Sequence, residues 1–452
     1  MLTRIVSLVS KVCVALVLCG FSVHSYAQYD NGSLVGTIKD STGAPIAGAS
    51  VTITNTATAI ATTAKTSATG DYTVPELKVG TYNVSATAAG FSNAVAQNIA
   101  ISVGGRQHID LTLPVGGATA SVEVSDVSLQ VESQESQRDQ TITNYESEAF
   151  PLVSRNYSDL LALIPGSRQA PTAALTSSVN SLLRAGSFNV NGERSMFNNF
   201  LLDGIDNNAY GESNQGFDNQ IIAVPPDSVA QFSVVTNNES AEYGRSSGAT
   251  VNVASQSGSN QFHATLYEFI RNTDLNAAGF FKPTQVGGSG ITTPFKKPTF
   301  NRNQFGVNVG GPIVKNKLFF FLDYEGFRQV LKPLSVLTLP TQNELNGILV
   351  VPVKNAVTGT VYPAGTAIPT SAINAVSQQI IADFKQISAL LPTTGVATTG
   401  LASNDYSIQV PFTDNADKGD LRFDYQNTAN RSFFLRISDR KEDGVNYPSI
   451  PI

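Results

Sequence analysis

Three segments in the last third of the chain alternate apolar and polar residues with a period of two. Leu421, Phe423 and Tyr425 alternate with Asp420, Arg422 and Asp424, and Phe433, Leu435 and Ile437 alternate with Ser432, Arg436 and Ser438. Further upstream Phe305, Val307 and Val309 alternate with Gln304, Gly306 and Asn308. On a helix this order scatters charge round the whole circumference; on a strand it makes one apolar and one polar face. Phe262 to Arg271 and Leu318 to Phe327 repeat the pattern less cleanly, and Lys317-Leu318-Phe319-Phe320-Phe321 adds an aromatic cluster. A tilted strand needs about 9–11 residues to cross a bilayer, with lipid on one face and water or protein on the other. A soluble antiparallel sheet has the same period, so the rest of the chain must decide between the two.

Composition narrows the choice. Charged residues make up 14% of the 452, the net charge is −6 and the mean hydropathy is −0.02. Outside the N-terminus no apolar run reaches the ~18 residues of a spanning helix, which excludes a polytopic helical membrane protein. The mild acidity argues against a nucleic-acid binder, which carries a basic patch. Residues 1–27 read as a Sec-type signal peptide. Arg4 and Lys11 give a basic start, Val12 to Phe21 is an apolar run too short to span, and Ser25-Tyr26-Ala27 ends in a small-x-small site, so cleavage is expected after Ala27. Leu16-Val17-Leu18-Cys19 is the rival lipoprotein signal, disfavoured because Leu18 is large for the residue before a lipidated Cys. Cys13, Cys19 and His24 all leave with the leader. The mature chain has no thiol and keeps only His108 and His263, which excludes Cys-based zinc sites and a cysteine nucleophile. No G-x-S-x-G, H-E-x-x-H or P-loop pattern occurs. The sequence therefore predicts no enzyme and calls for no cofactor.

Residues 30–115 carry short alternating runs at Leu34 to Ile38, Ala49 to Thr54, Asp71 to Val74, Thr81 to Thr87, Val95 to Val103 and His108 to Leu113. Between them lie Thr42-Gly43-Ala44-Pro45, Thr69-Gly70-Asp71, Val79-Gly80 and Ala89-Gly90. About seven strands with turns every 8–12 residues are the signature of a β-sandwich. The stretch GTIKDSTGAPIAGASVTITNT, continued by SATGDYTVPELKVGTYNVSATAAGF, resembles the carboxypeptidase-regulatory-like module, a carbohydrate-binding-like sandwich. That resemblance implies a structural or adhesive role.

Residues 116–140 read as a linker, opened by Pro114-Val115-Gly116-Gly117 and containing the β-prone Ser121-Val122-Glu123-Val124-Ser125. Leu160, Leu161 and Leu163, ended by Pro165-Gly166, suggest a short helix. Residues 141–258 hold two telling strings, GSFNVNGERSMFNNFLLDGIDNNAYGE and VAQFSVVTNNESAEYGRSSGATVNVASQSG. They resemble the plug of TonB-dependent outer-membrane receptors of the Oar-like branch. In that family a strand, a Tyr-Gly turn, a Gly loop and a Val-Asn strand lead into the barrel. The resemblance places the plug motif at Asp203, Gly204, Tyr243, Gly244, Arg245, Gly248 and Asn252. The Asn/Asp-rich run from Asp203 to Asp218 is read as turns, because an EF-hand register from Asp206 puts Tyr210 and Phe217 where oxygen ligands are required.

Residues 259–452 are then the first strands of an outer-membrane β-barrel, with a long loop over 331–417. Within it Ile373, Val376, Ile380, Phe384, Ile387 and Leu391 form one helical stripe. Plugged transporters use about 22 strands, so roughly five strands lead to the expectation of an N-terminal part with an incomplete barrel. The expected fold is mainly β: sandwich, α+β plug and barrel strands. By resemblance, the function is energy-coupled uptake of an unidentified large solute at the cell outer membrane. Its partners are outer-membrane lipid, the solute outside and a TonB-type energy transducer in the periplasm, the last pairing with Ser121 to Ser125 by strand addition. The alternative is a secreted or surface adhesion protein whose sandwich binds carbohydrate.

Overall fold

The computed structural model describes residues 31–116, 121–124, 136–150, 152, 155–169, 188–209, 220–241, 243–280, 282, 285–286, 292–293, 295–387, 406–428 and 431–450. The leader with Ala27, as well as Ser125 and Leu391, lies outside them.

Eight short strands build the N-terminal sandwich: β1 Gly32–Asp40, β2 Ser50–Asn55, β3 Ala61–Lys65, β4 Asp71–Leu77, β5 Gly80–Thr87, β6 Asn93–Ile101, β7 Arg106–His108 and β8 Leu111–Leu113. One sheet runs β4-β1-β7 with β8 also against β1; the other runs β3-β2-β5-β6. The period of two does the sorting. Val51 and Ile53 of β2 with Tyr82, Val84 and Ala86 of β5 turn inward and meet Leu34, Ile38, Tyr72 and Val74 of the facing sheet. Strand β3 escapes sequence reading because Ala-Thr-Thr-Ala-Lys lies on a sheet edge and carries no apolar alternation. The run from His108 to Leu113 divides in two because the Asp110 carboxylate accepts the Thr37 N–H at 2.7 Å, where a ladder carbonyl would sit. With its own core, this unit is expected to fold alone. Expressed as residues 31–116, it should give a β-type far-UV spectrum and one cooperative thermal transition; a gradual, non-cooperative loss of signal would contradict this.

The expected linker is shorter than 116–140. Ser121–Val124 forms strand β9, which pairs in parallel with β6 from Asn93↔Ser121 to Ala96↔Val124 and continues the second sandwich sheet. The backbone donors of β6 would otherwise form an open edge, and the Ser/Val alternation suits strand geometry. At the other end Arg138–Thr143 is strand β10 of the next sheet, so that unit starts before residue 141.

The second unit contains β10, β11 Ser167–Gln169, β12 Phe188–Val190, β13 Asn199–Leu202, β14 Ile205–Asp206, β15 Val229–Asn237 and β16 Thr250–Ser255. Its main sheet has the order β10-β15-β16-β13-β14, with β13 parallel to β16 and the other pairs antiparallel. Almost every residue of β15 and all of β16 are buried, so both faces of this sheet are covered. Phe200, Phe232, Val251 and Val253 pack with Leu160 and Leu161 of the helix Tyr157–Leu163. That expected helix is a 3₁₀ helix, capped by the Asn156 side chain on the Ser158 N–H. Tyr157 sits edge-on against Phe232 with centroids 5.1 Å apart.

Five long strands follow: β17 His263–Arg271, β18 Thr299–Val314, β19 Leu318–Lys332, β20 Phe412–Thr428 and β21 Arg431–Asn446. They pair in chain order as one antiparallel sheet. Register makes the two faces explicit. Ala264, Val309, Leu322, Leu421 and Ile437 form one apolar row across all five strands on the outer face. The adjoining inner row is Thr265, Asn308, Asp323, Asp420 and Ser438. Short connections, Lys315 to Lys317 and residues 429–430, lie at one end; residues 272–298 and 333–411 lie at the other. The long loop is thus shorter than 331–417. Alternation persists to Phe412, with Asp414, Ala416 and Lys418 buried on the inner face. The loop's helix spans Ala375–Gln386. It packs Ile381, Phe384 and Ile387 onto Leu339, Leu345 and Tyr406, while Val376 and Ile380 stay exposed. Phe384 and Ile387 of the expected stripe thus pack inward, while Ile381 takes the place of Ile380.

Candidate functional site

The inner face of the five-stranded sheet is where the three units meet. Strands β13 and β14 are joined by Asp203-Gly204, both with positive φ (51° and 74°). That conformation belongs to a two-residue hairpin turn that Asp-Gly favours. The turn aims the Asp203 carboxylate at the sheet, with only 1% of the side chain exposed. Its Oδ1 accepts from the Ser255 N–H at 2.8 Å and from Arg422 Nη1 at 2.9 Å. Its Oδ2 accepts from Ser255 Oγ at 2.8 Å and from Arg436 Nη1 at 3.1 Å. Both arginines project from inner positions of β20 and β21, directly opposite each other in register.

Each arginine is held from its other side. Arg422 forms a fork onto Asp424, with Nε to Oδ2 at 2.9 Å and Nη2 to Oδ1 at 3.1 Å. Arg436 reaches Asp420 Oδ1 from Nη2 at 2.7 Å, and Ser438 Oγ also donates to that oxygen. Asp424 takes two further donors, Ser257 Oγ at 2.7 Å and Lys78 Nζ of the sandwich at 2.7 Å. One continuous chain of charges therefore runs Lys78, Asp424, Arg422, Asp203, Arg436, Asp420. Buried ion pairs of this kind depend on every member, because removing one strands its partner's charge out of water.

A second cluster sits on the same inner face. Arg155 pairs with Asp227 within the second unit. Its guanidinium also lies over the Tyr267 and Phe269 rings of β17, at 4.6 Å and 4.1 Å from the centroids. Glu325 of β19 receives Lys418 Nζ at 3.1 Å, Gln304 Nε2 at 3.1 Å and Tyr267 Oη at 3.3 Å. Burial holds the Asp227 carboxyl above its ordinary value, with the Arg155 charge pulling the other way.

Of the residues singled out from sequence, Asp203 lies at the centre of this network and Asn252 is buried in β16 beside it. Arg245 is peripheral: it pairs with Asp206 at 2.8 Å on the surface. The Gly244 carbonyl accepts from Asn199 Nδ2 at 3.2 Å. Gly248 is required by space, since a Cβ there would lie 2.4 Å from Asn198 Oδ1. Tyr243 approaches the sandwich, where a Cβ on Gly104 would come within 2.9 Å of its hydroxyl. In the described part of the Asn-rich run, residues 203–209, the Asn207 side chain brackets the Ile222 backbone, and Asn208 Oδ1 accepts the Phe200 N–H at 2.9 Å. No group of three or more potential metal ligands occurs among the described residues. Sequence reasoning did not single out Lys78, Ser255, Ser257 or Arg155. Arg422, Asp424, Asp420 and Arg436 were legible only as the polar side of their strands.

The chain matches the carboxypeptidase regulatory-like domain over residues 33–114, the TonB-dependent receptor plug domain over 132–251 and an outer membrane beta barrel domain over 254–452. It is similar to the TonB-dependent transporter Oar of Myxococcus xanthus, 24% identical over 323 residues that cover 68% of this chain and 28% of that protein. Similar solved structures include the outer membrane transporter YddB from Escherichia coli, with TM-score 0.39 and 14% identity over 68% of this chain and 33% of that one. Another is the ferric enterobactin receptor of Pseudomonas aeruginosa, with TM-score 0.35 and 11% identity over 69% and 34%. The chain thus spans about a third or less of the length of these relatives. The matched families are those of receptors and transporters, not of enzymes. Along one chain it thus carries, in this order, a regulatory-like domain and the plug and barrel domains of TonB-dependent outer-membrane receptors, in an Oar-like arrangement.

Proposed function

We propose that the protein serves energy-coupled uptake of a large solute across the outer membrane, the plug closing the barrel until it is pulled. The observation that carries this reading is the Asp203 network, which ties plug to barrel through polar contacts rather than through a fused apolar core. Such contacts exchange readily for water once strained, so they suit a seat that must open. The export leader with cleavage at Ala27, the apolar outer rows in contact with lipid, and the short turns on the periplasmic side complete the arrangement. The solute enters from the side of the long loops.

The coupling segment in this proposal is Ser121 to Ser125, and the partner is a TonB-type transducer that adds a strand. The sequence after residue 27 is free of cysteine, so single cysteines at Val122 and Glu123 can be paired with cysteines in the transducer's periplasmic domain. Disulfide-linked species are expected in cells expressing the receptor. They should fall sharply when Val122→Pro is combined with the Glu123 cysteine, because proline lacks the N–H and fixes φ. Absence of cross-links across residues 121–125, in receptor present in the outer membrane, would reduce the segment to a linker.

A further inference from the structure

The charge chain at the plug is completed from outside both plug and barrel. Asp203, Asp420 and Asp424 supply three carboxylates, while among the described residues barrel and plug supply only Arg422 and Arg436 within ion-pair distance of them. The third cation is Lys78, in the turn between β4 and β5 of the sandwich, whose Nζ lies 2.7 Å from Asp424 Oδ1. Lys78 is itself positioned: its carbonyl accepts the Tyr82 hydroxyl at 2.7 Å. The sandwich is seated at the same rim by backbone contacts. Asn260, where the plug passes into β17, donates its N–H to the Ala57 carbonyl at 3.0 Å and its side-chain amide to the Thr58 carbonyl at 2.8 Å. Asn316, in the short turn between β18 and β19, donates its N–H to Asn260 Oδ1 at 2.8 Å. A cavity of about 600 Å³ remains between β3, β4, the Ser255 to Ser259 segment and the β20–β21 end of the sheet, so part of this seat is left unpacked.

We infer that the sandwich acts as a clasp on the plug, with Lys78 as its positioning residue. When the sandwich is docked, these three carboxylates share three cations. When it lifts away, Asp424 loses one donor and the buried cluster is left with one cation fewer. Asp424 and Asp203 then compete for the single Arg422 guanidinium, and the plug's hold on β20 weakens. Strand β9 lies in the same sandwich, so force applied near residues 121–124 reaches the clasp before it reaches the plug. This inference rests on the barrel-and-plug reading above, but needs neither the transducer nor the solute for its test.

The test uses the complete receptor in cells. Lys78→Glu sets a carboxylate against Asp424, and Lys78→Gln removes the charge alone. With outer-membrane amounts and heat-modifiable mobility matched to wild type, entry of a large antibiotic that the outer membrane excludes should rise about fivefold or more in Lys78→Glu, with a smaller rise in Lys78→Gln. Protease should release the sandwich faster in the same order. Cysteines at Ala57 and Asn260, oxidised to staple the sandwich to the rim, should restore exclusion to Lys78→Glu, and reduction should lose it again. Unchanged entry and unchanged protease release in Lys78→Glu would overturn the clasp. So would faster sandwich release without increased entry, which would make the docking structural only. Failure of the wild-type receptor to reach the outer membrane would instead overturn the transport reading and the clasp with it.

Discussion

Replacing Asp203 with alanine is expected to unseat the plug. The substitution removes the acceptor for the Ser255 N–H and hydroxyl together with the shared counter-ion of two buried arginines. Arg422 keeps Asp424 and Arg436 keeps Asp420, but with Lys78 three cations then share two carboxylates, and the plug's own link to both strands is lost. Breaking one member of a buried pair costs about 3–5 kcal/mol. Hydrogen exchange of β13 and β16 in the full receptor should therefore accelerate by about a hundredfold or more, with barrel strands unaffected. Asp203→Asn keeps an oxygen for the Ser255 N–H and should fall between. Asp206→Asn is the control: its partner Arg245 is largely exposed, and such pairs contribute about 0–1 kcal/mol. Equal exchange in the Asp203→Ala and Asp206→Asn receptors would remove Asp203 from the seat.

That seat was half legible in the sequence. Period-two alternation placed Asp420, Arg422 and Asp424 on one face of a strand, because side-chain direction in a strand depends only on parity. The turn at Asp203-Gly204 was equally legible, since few dipeptides accept two positive φ angles. What joins them was not. Asp203 and Arg422 are 219 positions apart, and no local rule selects which carboxylate a polar strand face receives. Lys78 was hidden for another reason: it adjoins the Val79-Gly80 turn, where a lysine reads as ordinary solvated surface.

The loop helix shows the limit of periodicity from the other side. Ile380 and Ile381 are adjacent and both apolar, about 100° apart on the helix. Sequence offers both, and the small core of Leu339, Leu345 and Tyr406 takes Ile381. Strand β3 was missed because an edge strand needs no apolar residues to pair. Strand β9 was seen as β-prone, but its partner β6 could not be named, since parallel pairing across an intervening stretch leaves no turn signal. In each case the element's type was local information and its neighbour was not.

The outer face carries the last expected result. Leu421 lies near the middle of β20, flanked in register by Leu322 and Ile437, with Val309 and Ala264 beyond. Two residues further along the strand the adjoining outer row contains Phe320, Phe423 and Leu435. In the opposite direction polarity returns at Asp417, which accepts from the Tyr324 hydroxyl at 2.6 Å and pairs with Arg328 at 2.7 Å. In the proposed membrane setting those contacts mark the level at which the wall leaves hydrocarbon for the interface, and Thr413 lies beyond them. An arginine on the lipid face of a barrel costs about 2–4 kcal/mol at the bilayer midplane and about 0–1 near the interfaces. Leu421→Arg should therefore sharply lower the amount of heat-modifiable receptor in the outer membrane and its urea midpoint in lipid vesicles. Thr413→Arg, on the same face of the same strand, should leave both nearly unchanged. A soluble sheet has no depth axis, so equal tolerance at the two positions would turn this face toward water and remove lipid as its partner.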